Sequence, residues 1–259
     1  MKDVLQYVTD PKEKLFLKTL IEYIARVEKN DYSLFTNFHD GLWMKQVVQK
    51  YLGASWMSQF AYFGGYKEAQ RQILGVLASY DNEPEVPICC LKLTVKTGIG
   101  KPLSHRDYLG ALLGLGLERD LIGDIIVQLE GAYIVVKANI ADYIACSLTQ
   151  IGRYTVSEMQ EVPMSAIPES MQPIKVIRTT VASLRADTVL AAGFGLSRNN
   201  CAKLIQGDKA TCNGMKVSVS TPLKEGDILT LRGYGKMKLK EINGQTKKER
   251  FHICIEKYI

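Results

Sequence analysis

A chain of 259 residues, 46% of them hydrophobic, is long enough for two or three small cores, and that balance excludes a disordered polyelectrolyte. The net charge of +6 is uneven: residues 174–259 hold 16 Lys and Arg against 7 Asp and Glu, and residues 1–173 hold 17 against 20. That excess is the footprint of a domain that meets a polyanion, while no apolar run approaches bilayer-spanning length, so a cytoplasmic protein with no membrane segment is expected.

The first region, residues 1–85, opens on a helical pattern after Pro11 in which Leu15, Leu17, Ile21, Ile24 and Val27 recur near a period of 3.6. A second helix is expected from about Asp40 to Leu52. "FAYFGGYKEAQRQILGVLAS" then reads as two strands about a Gly64-Gly65 turn. The stretch "YDNEPEVP", with two prolines and three acids, marks a boundary.

Residues 86–163 present β-α-β-β-α-β in order: "ICCLKLTVK", "HRDYLGALLGLG", "DIIVQL", "AYIVVKA", "ADYIACSLTQI" and "YTVSEMQEV". This is the split arrangement of ferredoxin-like and RNA-recognition folds. RNA-recognition modules stack bases on aromatics of the first and third strands, but "ICCLKL" has none and "AYIVVKA" only Tyr133, which argues against that use. Ser104-x-x-Asp107 is a capping arrangement, leaving His105 and Arg106 as secondary RNA contacts. A kinase reading of His105-Arg106-Asp107 fails for want of the catalytic-loop asparagine and an Asp-Phe-Gly segment. The six cysteines form no Cys-x-x-Cys pair and no zinc spacing; Cys89, Cys146, Cys201 and Cys254 fall in apolar or periodic runs and are expected to pack as reduced thiols. No metal or cofactor is implied. The fold class is α+β.

After a linker at 164–175, residues 176–259 form a separate basic domain. Ser197 reads as the N-cap of a helix from Arg198 to about Gln206, with Cys201, Leu204 and Ile205 inward and Arg198, Asn199, Lys203 and Gln206 outward. Free first-turn amides, the helix dipole and Arg198 together favour a phosphate there. Asn213-Gly214 fits a tight hairpin turn. In Arg232-Gly233-Tyr234-Gly235-Lys236 the small residues let a ligand backbone come close. Further on, Lys236, Lys238 and Lys240 alternate with Met237 and Leu239 in a C-terminal hairpin, as a phosphate-tracking face or a lysine-guarded edge.

The spaced set Leu184-Arg185-x-Asp187-x-x-Leu190, Gly193, Ser197-Arg198, Ala202, Leu204-Ile205, Gly207, Asn213-Gly214, Val217, Gly226-Asp227 and Arg232-Gly233 resembles an S4 RNA-binding domain. That resemblance implies contacts to structured RNA from Arg185, Ser197, Arg198, Lys203, Gln206, Lys209, Asn213 and Arg232, with Lys236 and Lys238 beside them. With "FGGYKEAQRQ" and "SHRDYLGALLGLGLERDLIGDI" ahead of this domain, nearly the whole chain resembles the YlmH family of S4-domain proteins. The resemblance implies a non-enzymatic, monomeric factor that binds rRNA of the large ribosomal subunit and tRNA on stalled complexes. It also attaches a cell-division link, for which the residues give no physical reason. The enzyme alternative is an S4-linked pseudouridine synthase, but the nearest phrase to its catalytic segment, Gly152-Arg153-Tyr154-Thr155, lacks the aspartate.

Overall fold

Asp10 begins helix α1 (Pro11–Asn30) by accepting the Lys12 and Glu13 amides at 2.8 and 3.1 Å, and Asp31 ends it in the left-handed region with its N–H on the Val27 carbonyl. The structure, a computed structural model, describes residues 2–53, 60–96, 102–168, 174–246 and 249–258. The buried stripe of α1 is Phe16, Leu17, Leu20, Ile24 and Val27. Leu15, expected inward, is 68% exposed and Ile21 only partly covered, because Phe16 rather than Leu15 starts the stripe. Strands β1 (Leu34–Phe35) and β2 (His39–Asp40) precede α2 (Gly41–Tyr51), whose Trp43 amide is capped by Asp40 at 2.9 Å. Strands β3 (Phe60–Phe63) and β4 (Arg71–Val76) pair antiparallel from Phe60↔Val76 to Phe63↔Ile73, and β1 and β2 also pair with β4.

The expected β-α-β-β-α-β order follows: β5 (Ile88–Val95), α3 (His105–Gly114), β6 (Ile122–Gln128), β7 (Gly131–Lys137), α4 (Ala141–Ser147), a short β8 (Gln150–Ile151) and β9 (Tyr154–Val162). The sheet runs β6-β7-β5-β9-β8, with every pairing antiparallel. Alternation in β5 sends Leu91, Leu93 and Val95 to a core with Tyr108, Leu112 and Ile144 of the helices. The opposite face is also covered: Cys90, Ile126 and Val135 cluster with Phe38, Ile73 and Ile167. Residues 1–85 and 86–163, expected as two parts, therefore share a core inside one compact unit, Met1–Ser170.

The second unit, Met171–Ile259, contains β10 (Ile174–Val181), α5 (Ala186–Phe194), α6 (Arg198–Gln206), β11 (Ala210–Cys212), β12 (Met215–Lys216), β13 (Ile228–Leu231), β14 (Gly235–Gln245) and β15 (Phe251–Tyr258). Its sheet is ordered β10-β15-β14-β13-β11-β12. Val189, Leu190, Cys201 and Ile205 of the two helices bury against Leu229, Leu231, Met237, Leu239 and Ile255. At Gly193 in α5 an added Cβ would meet the Met237 sulfur, so a larger residue there would make Met237 shift. Strand β10 begins inside the stretch expected as linker and pairs along its length with β15, from Ile174↔Tyr258 to Val181↔Phe251.

All six cysteines are free thiols, but Cys146, expected to pack inward, is exposed on α4. Among the described residues no helix is long and apolar enough to cross a membrane, and no cluster of metal-ligating side chains is present.

Candidate nucleic-acid interface

Arg185, Ala186 and Asp187 open α5, but this helix start is closed to a ligand: the Ala186 and Asp187 amides donate to the carbonyls of Thr221 and Val219 at 3.0 and 3.3 Å. The next helix start is open. Ser197 caps α6 as the sequence predicts, its Oγ accepting the Asn200 amide at 3.2 Å, while the Arg198 and Asn199 amides take no partner among the described residues. Partial positive charge at this end suits a phosphate.

Asp187 organises the arginines. Its carboxylate, 4% exposed, accepts Arg198 Nη2 at 2.8 Å and Nε at 3.3 Å on one oxygen, and Arg185 Nε at 3.1 Å on the other. Burial raises the Asp187 pKa, yet hydrogen bonds from Arg198 and Arg185 overcome it and hold the group below its ordinary value. Both guanidinium groups remain about half exposed, so each has donors left for a ligand while its stem is fixed.

Lys203 and Gln206 project from the exposed face of α6, and Cys201 and Ile205 anchor the other. Beyond Gly207 the Arg232 amide donates to the Lys209 carbonyl at 2.8 Å, which sets exposed Lys209 and Arg232 side by side next to the end of α6. The structure thus brings Ser197, Arg198, Lys203, Gln206, Lys209 and Arg232 onto one continuous run of surface elements.

Asn213, which the S4 resemblance implies as an RNA contact, is a different case because its side chain has partners within the loop. Its φ of 50°, with Gly214 at 82°, makes the tight turn between β11 and β12. Its side-chain amide donates to Asp227 at 2.9 Å and its Oδ1 accepts the Ile228 amide at 2.8 Å, so the group holds the loop together. Lys236 and Lys238 lie on β14 opposite Thr230 and Ile228, half-buried, with Lys236 6.0 Å from the Tyr258 ring; Lys240 is paired with Glu256 at 2.7 Å. Their alternation with buried Met237 and Leu239 is as expected, but the strand offers less free cation than its sequence suggests.

Sequence reasoning passed over three residues here. Tyr234 is 45% exposed, its ring centroid is 6.3 Å from Phe194, and Lys257 Nζ sits 4.9 Å from the Phe194 centroid. Tyr234 lies in the Arg-Gly-Tyr-Gly-Lys stretch, where the flanking glycines are the stronger local signal. Phe194 and Lys257 are distant from it in sequence and carry no local signal.

In the first unit, His105 and Arg106 are exposed at the start of α3, where the Ser104 N–H and hydroxyl both donate to Asp107 at 2.7 Å. Partial desolvation, then the Arg119 guanidinium, lower the His105 pKa from its ordinary value, with Asp124 opposing. The sheet face that RNA-recognition modules use for stacking is here covered by Phe38, Ile73 and Ile167, with Tyr133 packed against that cluster. Gly152-Arg153 is the turn of the β8–β9 hairpin, with Ile151 opposite Tyr154 and Tyr154 buried.

An open helix start beside two carboxylate-steered arginines and a run of exposed lysines defines an S4-type RNA-binding domain, and residues 184–229 match the S4 domain family. Residues 100–166 match the family described as "Putative RNA-binding domain in YlmH". Over 259 residues the chain is 29% identical to "Ribosome-associated protein quality control protein P2" of Bacillus subtilis (strain 168), covering 99% of both proteins. The chain thus carries an S4 domain and is similar over its whole length to proteins of the YlmH type. Among solved structures, "Cell division protein ylmH from Streptococcus pneumoniae" aligns with 61% of this chain and 95% of its own, at 23% identity and a TM-score of 0.47.

Proposed function

We propose that this protein is a non-enzymatic, monomeric cytoplasmic factor whose S4 domain grips structured RNA, namely large-subunit rRNA and tRNA on stalled or obstructed ribosomal complexes. The observation that carries the reading is the Asp187 carboxylate, which steers Arg185 and Arg198 beside the unpartnered Arg198 and Asn199 amides of α6. Backbone amides, fixed guanidinium groups and exposed lysines recognise phosphates and duplex shape and read no base sequence, which suits A-form RNA, whose deep groove side chains cannot enter. The name of the Bacillus subtilis relative, similar over the full length, supports a ribosomal setting.

Lys203→Ala with Arg232→Ala removes two exposed cations without touching the Asp187 pairs. The double variant should melt as wild type does, and its plot of log affinity for ribosomes against log salt should become shallower by about 1–2 units. Unchanged affinity and slope would place the RNA on another face. Crosslinking in cells should give a cluster in large-subunit rRNA together with tRNA; crosslinks dispersed over messenger RNA would contradict the ribosomal assignment.

A further inference from the structure

We infer that Tyr234, backed by Phe194 and flanked by Lys257, is a stacking platform for one unpaired nucleobase, set at the end of the phosphate-binding run. The inference rests on the RNA-binding reading of the S4 domain and adds to it a recognised feature, a base displaced from the helix. Tyr234 stands in the β13–β14 hairpin between Gly233 and Gly235, whose φ values of 92° and 113° fit glycine. No side chain on either neighbour screens the ring. Phe194 touches it at a tilt of 58° with centroids 6.3 Å apart, and 45% of Tyr234 still faces solvent. A hydrophobic lid over Phe194 has no need of so much exposed ring.

The surroundings identify the occupant. Arg232, two residues before Tyr234, is tied through its amide to Lys209, and Phe194 lies three residues before Ser197, so the ring is joined to both ends of the cationic run. Lys257 above the Phe194 ring adds another positive charge. A flat, partly exposed aromatic ring among cations fits a base and its phosphate better than an apolar peptide. Within a continuous duplex the base faces are hidden by stacking, so the platform engages a bulged or looped-out residue.

The test uses full-length protein and two labelled blunt RNA duplexes identical except for one bulged adenosine. Wild type should bind the bulged duplex about tenfold tighter. Tyr234→Ala should bring the two affinities together and leave that for the plain duplex unchanged, whereas Tyr234→Phe should keep the preference. A bulged 4-thiouridine should photocrosslink to Tyr234 or Phe194 in wild-type protein, a readout that does not depend on any variant folding. A preference unaltered in a folded Tyr234→Ala, or crosslinks elsewhere, would overturn the platform. Equal binding of both duplexes by wild type would overturn it while leaving the S4 face standing; binding of neither would remove both.

Discussion

Two charges held by one buried carboxylate make Arg198 less simple to test than its exposure suggests. Arg198→Ala leaves Asp187 with Arg185 as its remaining charged partner, so the second unit should lose about 1–3 kcal/mol of stability as well as affinity. A melting temperature equal to wild type, read by circular dichroism, would show that the pair is not structural. The exposure of Lys203 and Gln206 was legible from helical spacing alone. The sharing of Asp187 was not, since Arg198 lies eleven residues away and reaches it only in the folded chain. In the first unit, burial first, then Lys12 and Arg71, push His39 down to about 4, with Asp120 opposing, and its ring packs against Phe16 and Trp43. A histidine depressed in the folded state contributes stability above its unfolded pKa of about 6.5 and loses it as pH falls toward 4. Urea titrations should therefore show stability dropping by about 1–3 kcal/mol across that window, and His39→Gln should flatten the drop. An identical pH profile in the variant would assign the loss to other groups.

At the scale of elements, the signals that succeeded are local. Ser197 caps the helix that the sequence assigns to it, the second helix starts beside Asp40 as its pattern indicates, and Asn213-Gly214 makes its hairpin, because a cap or tight turn is decided by a few adjacent residues. Strand β10 is not legible in the sequence because its partner β15 is about 80 residues later, and its exposed Ile174 and Val176 give no buried alternation to read. The same contrast separates two substitutions. Ser197→Ala removes one hydrogen bond to the Asn200 amide and should cost about 1 kcal/mol. Asn213→Ala removes bonds to Asp227 and Ile228 and puts alanine in the left-handed region, which should cost about 2–4 kcal/mol. Chemical denaturation should rank them in that order, and the opposite ranking would mean that the β11–β12 loop contributes little to holding the domain.

Across the whole molecule, the β-α-β-β-α-β unit was legible as a topology but not as a surface. Its strands read as apolar on both faces, and the sequence does not say what covers the second. Phe38 and Ile73 come from the first 85 residues and Ile167 from beyond the last strand, and they close over Cys90, Ile126 and Val135. Lys137, 9% exposed, reaches back to donate to the Thr36 carbonyl at 3.3 Å, and burial lowers its pKa. Cutting at the proline-rich boundary near residue 85 therefore exposes an apolar sheet face and strips a buried ammonium of its acceptor. A fragment of residues 86–163 should bind a hydrophobic dye and melt without a sharp transition, whereas residues 1–170 should melt cooperatively. Residues 171–259, whose core of Val189, Leu190, Ile205, Leu231, Met237 and Ile255 is internal, should also melt cooperatively alone. A cooperative, dye-silent 86–163 fragment would show that its second face tolerates water, and would reopen that face as a place for RNA.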